Sequence, residues 1–322
     1  MSDSSEQPEK KSDSSFEQIL ASEVARELLV EQRRARRWGI FFKLLLAVYL
    51  FSFLLIYLGN SQRFEASGIG VGRHTAVIDI NDVIGADTEA SADNVIAGLR
   101  AAFENKKTAG IVLRINSPGG SPVQAGYIND EIHRLRKKYP NIPVYAVVRD
   151  ICASGAYYIA VAADKIYADK SSLVGSIGVI MSGFGFVKAI DKLGIERRLL
   201  HAGENKGFLD PFSPLKEEEV KHVDTLLQDI YQQFVKVVKE GRGDRLADND
   251  KLFSGLVWTG EQAVKLGLVD GLGSTGYVAR EVIGEENIVD FTYRQSYLDR
   301  FADRLGTSMA NRLFSLYKVQ LY

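Results

Sequence analysis

The chain has 322 residues, 46% of them hydrophobic and 25% charged, enough for one sizeable core plus appendages when domains run to about 100–200 residues. Its 40 Lys and Arg nearly balance 41 Asp and Glu, for a formal net charge of −1. No global field draws in nucleic acid, and no basic patch interleaved with aromatics is present to bind it. The single cysteine, Cys152, excludes an internal disulfide and leaves the compartment to be read from other features.

Residues 1–37 open as a polar, Ser- and Glu-rich tail with too little apolar surface to repay ordering, apart from a short predicted helix over 16–30. Residues 38–58 follow, with Lys43 as their only charge; as a helix they reach across a hydrocarbon core of roughly 30 Å. The run is longer than the apolar part of a cleaved signal peptide and has no small-residue cleavage site, so it reads as an uncleaved transmembrane helix. Arg33, Arg34, Arg36 and Arg37 precede it and only Arg63 follows closely. The positive-inside rule then leaves the N-terminus in the cytoplasm and everything after the span on the far side. Residues 59–73 read as a Gly/Ser linker.

From there to about residue 290 the pattern alternates. Strands are expected over 75–80 (TAVIDI), 110–115 (GIVLRI), 142–148 (IPVYAVV) and 165–169 (KIYAD), and helices over 91–104, 123–138 and from Ser154 onward. This is an α/β pattern of βαβ units on a parallel sheet. Ligands in such sheets bind beyond the carboxyl ends of the strands, where the two most unusual loops fall: NSPGGS at 116–121 and RDICAS at 149–154. Gly119 and Gly120 serve either as an ordinary Pro-Gly turn or as a place where backbone N–H groups approach a carbonyl oxygen unobstructed. Ser154 serves either as a helix cap or as a nucleophile at a strand-to-helix turn, with the Gly155 N–H beside it, and the two readings are geometrically compatible.

A serine hydroxyl needs a base. His74, His133, His201 and His222 are available, but none sits in a triad context, and His133 and His222 fall on charged helical stretches. Lys206 lies in the aperiodic segment 201–219 (HAGENKGFLDPFSPLKEEE), a length at which loops are often functional. Against it stand the ordinary fate of a loop lysine, which is solvation, and the competitors Lys188, Lys192 and Lys216. Further on, residues 217–240 predict an amphipathic helix through Val220, Leu226, Leu227, Ile230, Phe234 and Val237 that faces either the core or a neighbouring subunit. Thr259 and Gln262 have capping-box spacing. Residues 291–322 read as an amphipathic helical tail packed on its own domain, with Leu298, Phe301, Leu305, Met309, Leu313 and Leu316 in period.

INSPGGS, ASGAYYIA, VGSIGV, the later lysine and VWTGEQAVKLGLVDGLG, in that order, resemble the signal peptide peptidase A family of membrane-anchored Ser/Lys peptidases, related to the Clp protease and crotonase folds. The resemblance runs over about 75–282. It implies a Clp/crotonase-like peptidase domain over 74–290, with Ser154 as nucleophile, Lys206 as general base and Ser176 as the serine that orients the lysine. It also implies an oxyanion hole from the Gly155 amide and one amide of the Gly119–Gly120 pair, with no metal and no cofactor. The partners it implies are apolar peptides such as signal-peptide remnants, and copies of the same chain in a homo-oligomeric ring of eight whose Ser154 and Lys206 meet across a subunit boundary. The location it implies is a bacterial inner membrane, with the catalytic domain periplasmic. Two departures stand out: Gly155-Ala156 follows the serine where Gly-Gly is frequent, and Lys206 sits in a variant ENKGF context. A base here must lose several units from a lysine's reference pKa of about 10.4, which desolvation can supply. A crotonase-like acyl-CoA enzyme, or a non-catalytic scaffold of the same fold, remains the alternative.

Overall fold

The computed structural model describes residues 33–34, 36–54 and 72–294; the expected N-terminal tail up to residue 32, most of the linker and the tail from residue 295 lie outside the described residues. Helix α1 (Arg36–Leu54) has 19 residues and a mean hydropathy of 1.6, with none of its apolar surface buried. By length and composition it can cross a membrane. The last four residues of the expected span fall beyond its described part.

The body runs β1 (His74–Asn81), α2 (Ala92–Glu104), β2 (Thr108–Ser117), α3 (Pro122–Lys138), β3 (Val144–Ala153), α4 (Gly155–Ala160), β4 (Lys165–Ala168), β5 (Leu173–Gly175), α5 (Val187–Lys192), α6 (Glu217–Arg242), β6 (Val257–Thr259), α7 (Gly260–Lys265), β7 (Gly271–Leu272), α8 (Thr275–Tyr277) and β8 (Ile288–Asp290). The strands lie in the order β6-β5-β3-β2-β1-β8, with β4 also on β3 and β7 on β4. Every pairing is parallel except β5 with β6. This is the α/β, parallel-sheet architecture that the alternating pattern predicts.

Alternation along the strands sorts residues to the two faces. Ile78 and Ile80 of β1, Ile111, Leu113 and Ile115 of β2, and Ala146 and Val148 of β3 join Leu99 and Phe103 of α2 and Ile128 and Ile132 of α3 in the main core. Val77, Val112, Val147, Tyr167 and Val278 form a smaller cluster on the opposite face. The helices begin where their caps dictate. Ser91 accepts from Asn94 N, and Ser121 accepts from Gln124 N with Pro122 opening α3. Arg136, Lys137 and Lys138 close α3 against its negative dipole end. The predicted capping box is formed, with both the Gln262 N to Thr259 Oγ1 and the Thr259 N to Gln262 Oε1 bonds in place.

Two features differ from the sequence expectation. β3 does not stop at Val148 but continues to Ala153 by changing partners. Tyr145 to Val148 pair with β4, while Ile151, Cys152 and Ala153 pair with Leu173, Val174 and Gly175 of β5. RDICAS is therefore mostly strand. The second feature is the arm over residues 178–218, in which no residue is buried. Ile180, Phe184, Leu193 and Leu200 all stand at least 72% exposed there. α6 continues from the arm; its C-terminal half packs on the core through Phe234, Val235 and Val238, while Val220 and Leu226 near its start stay exposed.

Candidate active site

The register of β3 and β5 builds the site. Ala153 pairs with Gly175, so the residues that follow, Ser154 and Ser176, leave neighbouring parallel strands at the same height, one strand spacing of about 4.8 Å apart. Both turn sharply: φ is 53° at Ser154 and 52° at Ser176, values a side-chain-bearing residue adopts only when its surroundings hold it there. The surroundings are specific. Ser154 N donates to Gly175 O at 2.9 Å, Ser176 N donates to Leu256 O at 2.8 Å, and a Cβ on Gly175, at φ 115°, would stand 3.0 Å from Leu256 O and 3.2 Å from the Trp258 indole.

Ser154 precedes α4 yet makes no capping hydrogen bond with its side chain. Its hydroxyl has no hydrogen-bond partner among the described residues, so the capping reading of this serine does not hold. Helix α4 starts instead from a strained turn, the geometry that lifts a side chain clear of a sheet edge.

The NSPGGS loop lies alongside. Ile84 N donates to Gly119 O at 2.9 Å and Ser121 N donates to Ile84 O at 2.8 Å, fastening the loop to the chain after β1. A Cβ on Gly119 would come within 2.8 Å of Ser154 Cβ, and one on Gly120 within 2.1 Å of Ile84 O, so only hydrogen fits at either position. The Gly119 N–H is engaged by Ser117 Oγ at 3.1 Å. The N–H groups of Gly120 and Gly155 donate to no group among the described residues, and a Cβ on Gly155 would stand 3.4 Å from Gly120 N. Two free amides thus flank one point beside Ser154.

That point opens into a cleft of about 510 Å³. Gly120, Ser154, Gly155 and Ser176 are in its lining, together with the apolar or aromatic side chains of Tyr158, Val179, Ile180, Ile230 and Phe234. Tyr158, whose phenol burial pushes above its ordinary value, is the one ionisable group in the lining. Among the described residues no lysine or histidine borders the cleft. His74 is buried and stacked on Phe291 at the far end of β1, and burial lowers the pKa of His133 on α3, outside the cleft. In the arm, His201 contacts Gly203 O, and His222 on α6 meets Phe208 edge-on. Lys206 sits exposed in a turn of the arm, its N–H donating to Gly203 O at 3.1 Å, with no ion pair among the described residues. Lys188 and Lys192 are exposed on α5, and Lys216 lies 3.7 Å from Glu219. Cys152 is fully buried, and its thiol is pushed well above the ordinary value by desolvation; it is a core residue.

The structure therefore gathers Ser154, Ser176, Gly120 and Gly155 around one cleft, packs Gly119 against Ser154 outside its lining, and leaves Lys206 outside it. Sequence reasoning missed the apolar wall supplied by Ile230 and Phe234, although their i, i+4 spacing on a predicted amphipathic helix was the available signal. It also missed Ile84 and Trp258, which hold the two turns and carry no motif.

The family model described as peptidase family S49 matches residues 136–288, a span that includes Ser154, Ser176 and Lys206. A Synechocystis sp. protein provisionally named a protease is 34% identical over 193 residues, 60% of this chain and 68% of that one. An Enterococcus faecium protein provisionally named signal peptide peptidase SppA is 33% identical over 199 residues, 62% of this chain and 57% of that one. A Brucella abortus protein named Na(+)/H(+) antiporter NhaA is 45% identical over 188 residues, 58% of this chain but 25% of its own length. Its name describes a protein of which three quarters have no counterpart in the match. The chain thus spans between a quarter and about two thirds of the curated relatives it matches.

Proposed function

The chain belongs to peptidase family S49, and from that membership and the cleft we propose a membrane-anchored serine endopeptidase that works through Ser154 and Lys206. The observation that carries the reading is a serine held at φ 53° beside two undonated backbone amides, in a cleft that contains no base of its own. In this reading Ser154 Oγ attacks the peptide carbonyl and its proton passes to Lys206 Nζ. The oxyanion is held by the N–H groups of Gly120 and Gly155. Lysinium then protonates the departing amine, leaving an ester on Ser154, and a water deprotonated by the same lysine hydrolyses it. Ser176, one strand away, orients the amine.

Lys206 is exposed within one chain, so in this reading the base comes from a neighbouring copy whose arm is desolvated on docking. The exposed apolar side chains of the arm supply the surface for such a contact. We place eight copies in the ring, following the family resemblance. The apolar wall of the cleft suits apolar peptides such as signal-peptide remnants, laid along the sheet as an added strand. In this scheme residues 1–37 are cytoplasmic, α1 lies in a bacterial inner membrane, and the domain over 74–290 works outside the cytoplasm; neither metal nor cofactor takes part.

The test is cleavage of an apolar fluorogenic peptide by the full chain in detergent. Ser154→Ala and Lys206→Ala are each expected to be inactive, and mixing the two to regain part of the activity, because some interfaces pair an intact serine with an intact lysine. Lys206→Arg stays inactive, since arginine keeps its proton. Near-normal turnover in Ser154→Ala sinks the mechanism and favours a scaffold. No recovery in mixed assemblies, with subunit exchange demonstrated, places the base elsewhere.

A further inference from the structure

A second pocket of about 300 Å³ adjoins the cleft and shares Gly178, Val179 and Ser254 with it. Its other walls are Asp224, Leu227, Gln228 and Tyr231 of α6 together with Phe253. The two cavities form one groove along α6, because Asp224, Leu227, Gln228 and Tyr231 are spaced i, i+3, i+4, i+7 and so share a helix face, which passes over into Ile230 and Phe234 at the cleft. Among the described residues Asp224 is the only charged one lining either cavity. Its carboxylate is exposed and has neither an ion pair nor a hydrogen bond among the described residues. The Tyr231 hydroxyl is already committed to Phe253 O at 2.6 Å and Lys239 Nζ lies over the Phe253 ring, 5.4 Å from its centroid, so it is the Tyr231 ring that presents apolar surface, the lining that the methylene stem of a long cationic side chain packs against.

We propose that this pocket is a substrate subsite that takes a cationic side chain, lysine or arginine, of the peptide being cut. The inference rests on the peptidase reading above and adds a charge preference that the apolar cleft alone does not supply. Six residues of helix separate Asp224 from Ile230, an axial distance of about 9 Å, which an extended peptide covers in about three residues. The preferred peptide is therefore apolar at the cut and cationic about three residues beyond the part seated against Ile230.

The experiment uses paired peptides that carry lysine or its neutral isostere norleucine at successive positions around one apolar cleavage site. With the full chain in detergent at low salt, kcat/KM is expected to favour lysine about three- to fivefold at one position, as suits an exposed ion pair, and the preference to fade toward about 0.5 M salt. In Asp224→Asn the lysine-to-norleucine ratio falls to near one, and in Asp224→Lys it inverts for a glutamate-bearing peptide. A second arm measures binding of the same peptides to Ser154→Ala protein by fluorescence anisotropy, with the same preference expected, so it reports even if the chain cuts nothing. No lysine preference in binding at any position, or a preference that survives Asp224→Asn, overturns the subsite. Loss of cleavage alone, with the binding preference kept, counts against the peptidase mechanism and not against the subsite.

Discussion

Gly120→Ala is the substitution that most sharply separates the oxyanion reading from mere loop packing. The new Cβ would stand 2.1 Å from Ile84 O and 2.9 Å from Ile84 N, all backbone, and φ at this residue is 149°. Reaching the 3.0 Å below which Cβ contacts do not occur requires a displacement of 3.0 − 2.1, or 0.9 Å, and the fixed backbone of Ile84 leaves the NSPGGS loop to make it. The movement carries the Gly120 N–H off its line to the cleft. Removing one oxyanion donor costs about 10²–10³ in kcat, roughly 2.7–4 kcal/mol of transition-state stabilisation, and a misplacement near 1 Å is enough for such a loss. Folding stability should fall as well, by about 1–3 kcal/mol for the strained backbone, so the assay pairs kcat and KM on an apolar fluorogenic peptide with denaturant unfolding. Gly126→Ala is the control: it lies inside α3 with nothing within 4 Å of the added methyl, and helix propensity predicts a gain of up to about 1 kcal/mol. A folded Gly120→Ala protein that keeps its kcat, or loses only KM, would refute the argument.

Other outcomes follow from single contacts. Tyr157 is fully buried and donates to Leu268 O at 2.7 Å, so Tyr157→Phe leaves a dry carbonyl unpaired and should destabilise the fold by about 1–3 kcal/mol in denaturant titration; no loss would mean that the carbonyl finds another donor. Cys152 should resist maleimide in the native protein and react on unfolding, since burial keeps its thiol protonated; rapid native labelling would contradict the packing of β3. Arg134 and Arg100 hold the Glu131 carboxyl down at about 2, below an unfolded value near 4.3. A depressed folded-state pKa gives stability that is present above the unfolded value and lost as pH falls toward the folded one. The gap in Tm between wild type and Glu131→Gln should therefore be full at neutral pH, narrow below about pH 5 and be nearly closed by pH 2; a pH-independent gap would disprove the coupling.

How much of this was legible beforehand depended on whether the information was local. Ser91 before a run of apolar residues in helical period, Thr259 three residues before Gln262, and the alternating β1 and β2 segments each carry their own signal, and each element lies where that signal puts it. The extension of β3 through Arg149 and Asp150 carries none, because it is decided by pairing with β5, some twenty residues away in the chain. The same holds at the site. The glycines and the serine announced themselves as loops at strand ends, but that Ser176 would stand next to Ser154 follows only from the Ala153–Gly175 register. Lys206 stands outside the cleft, on an arm that buries nothing of its own in the single chain, and no local pattern in the sequence signals that placement.

The change of partners along β3 has a consequence for how this chain can diverge. Its first half pairs with β2 and β4, whereas its last three residues hand over to β5, the strand that leads into the arm, and both halves contribute to the one main core. Changes of length or composition within residues 178–218, where nothing is buried, therefore leave the main core untouched. Descendants of this sequence are free to rewrite the arm without renegotiating the interior that keeps Ser154 at its post.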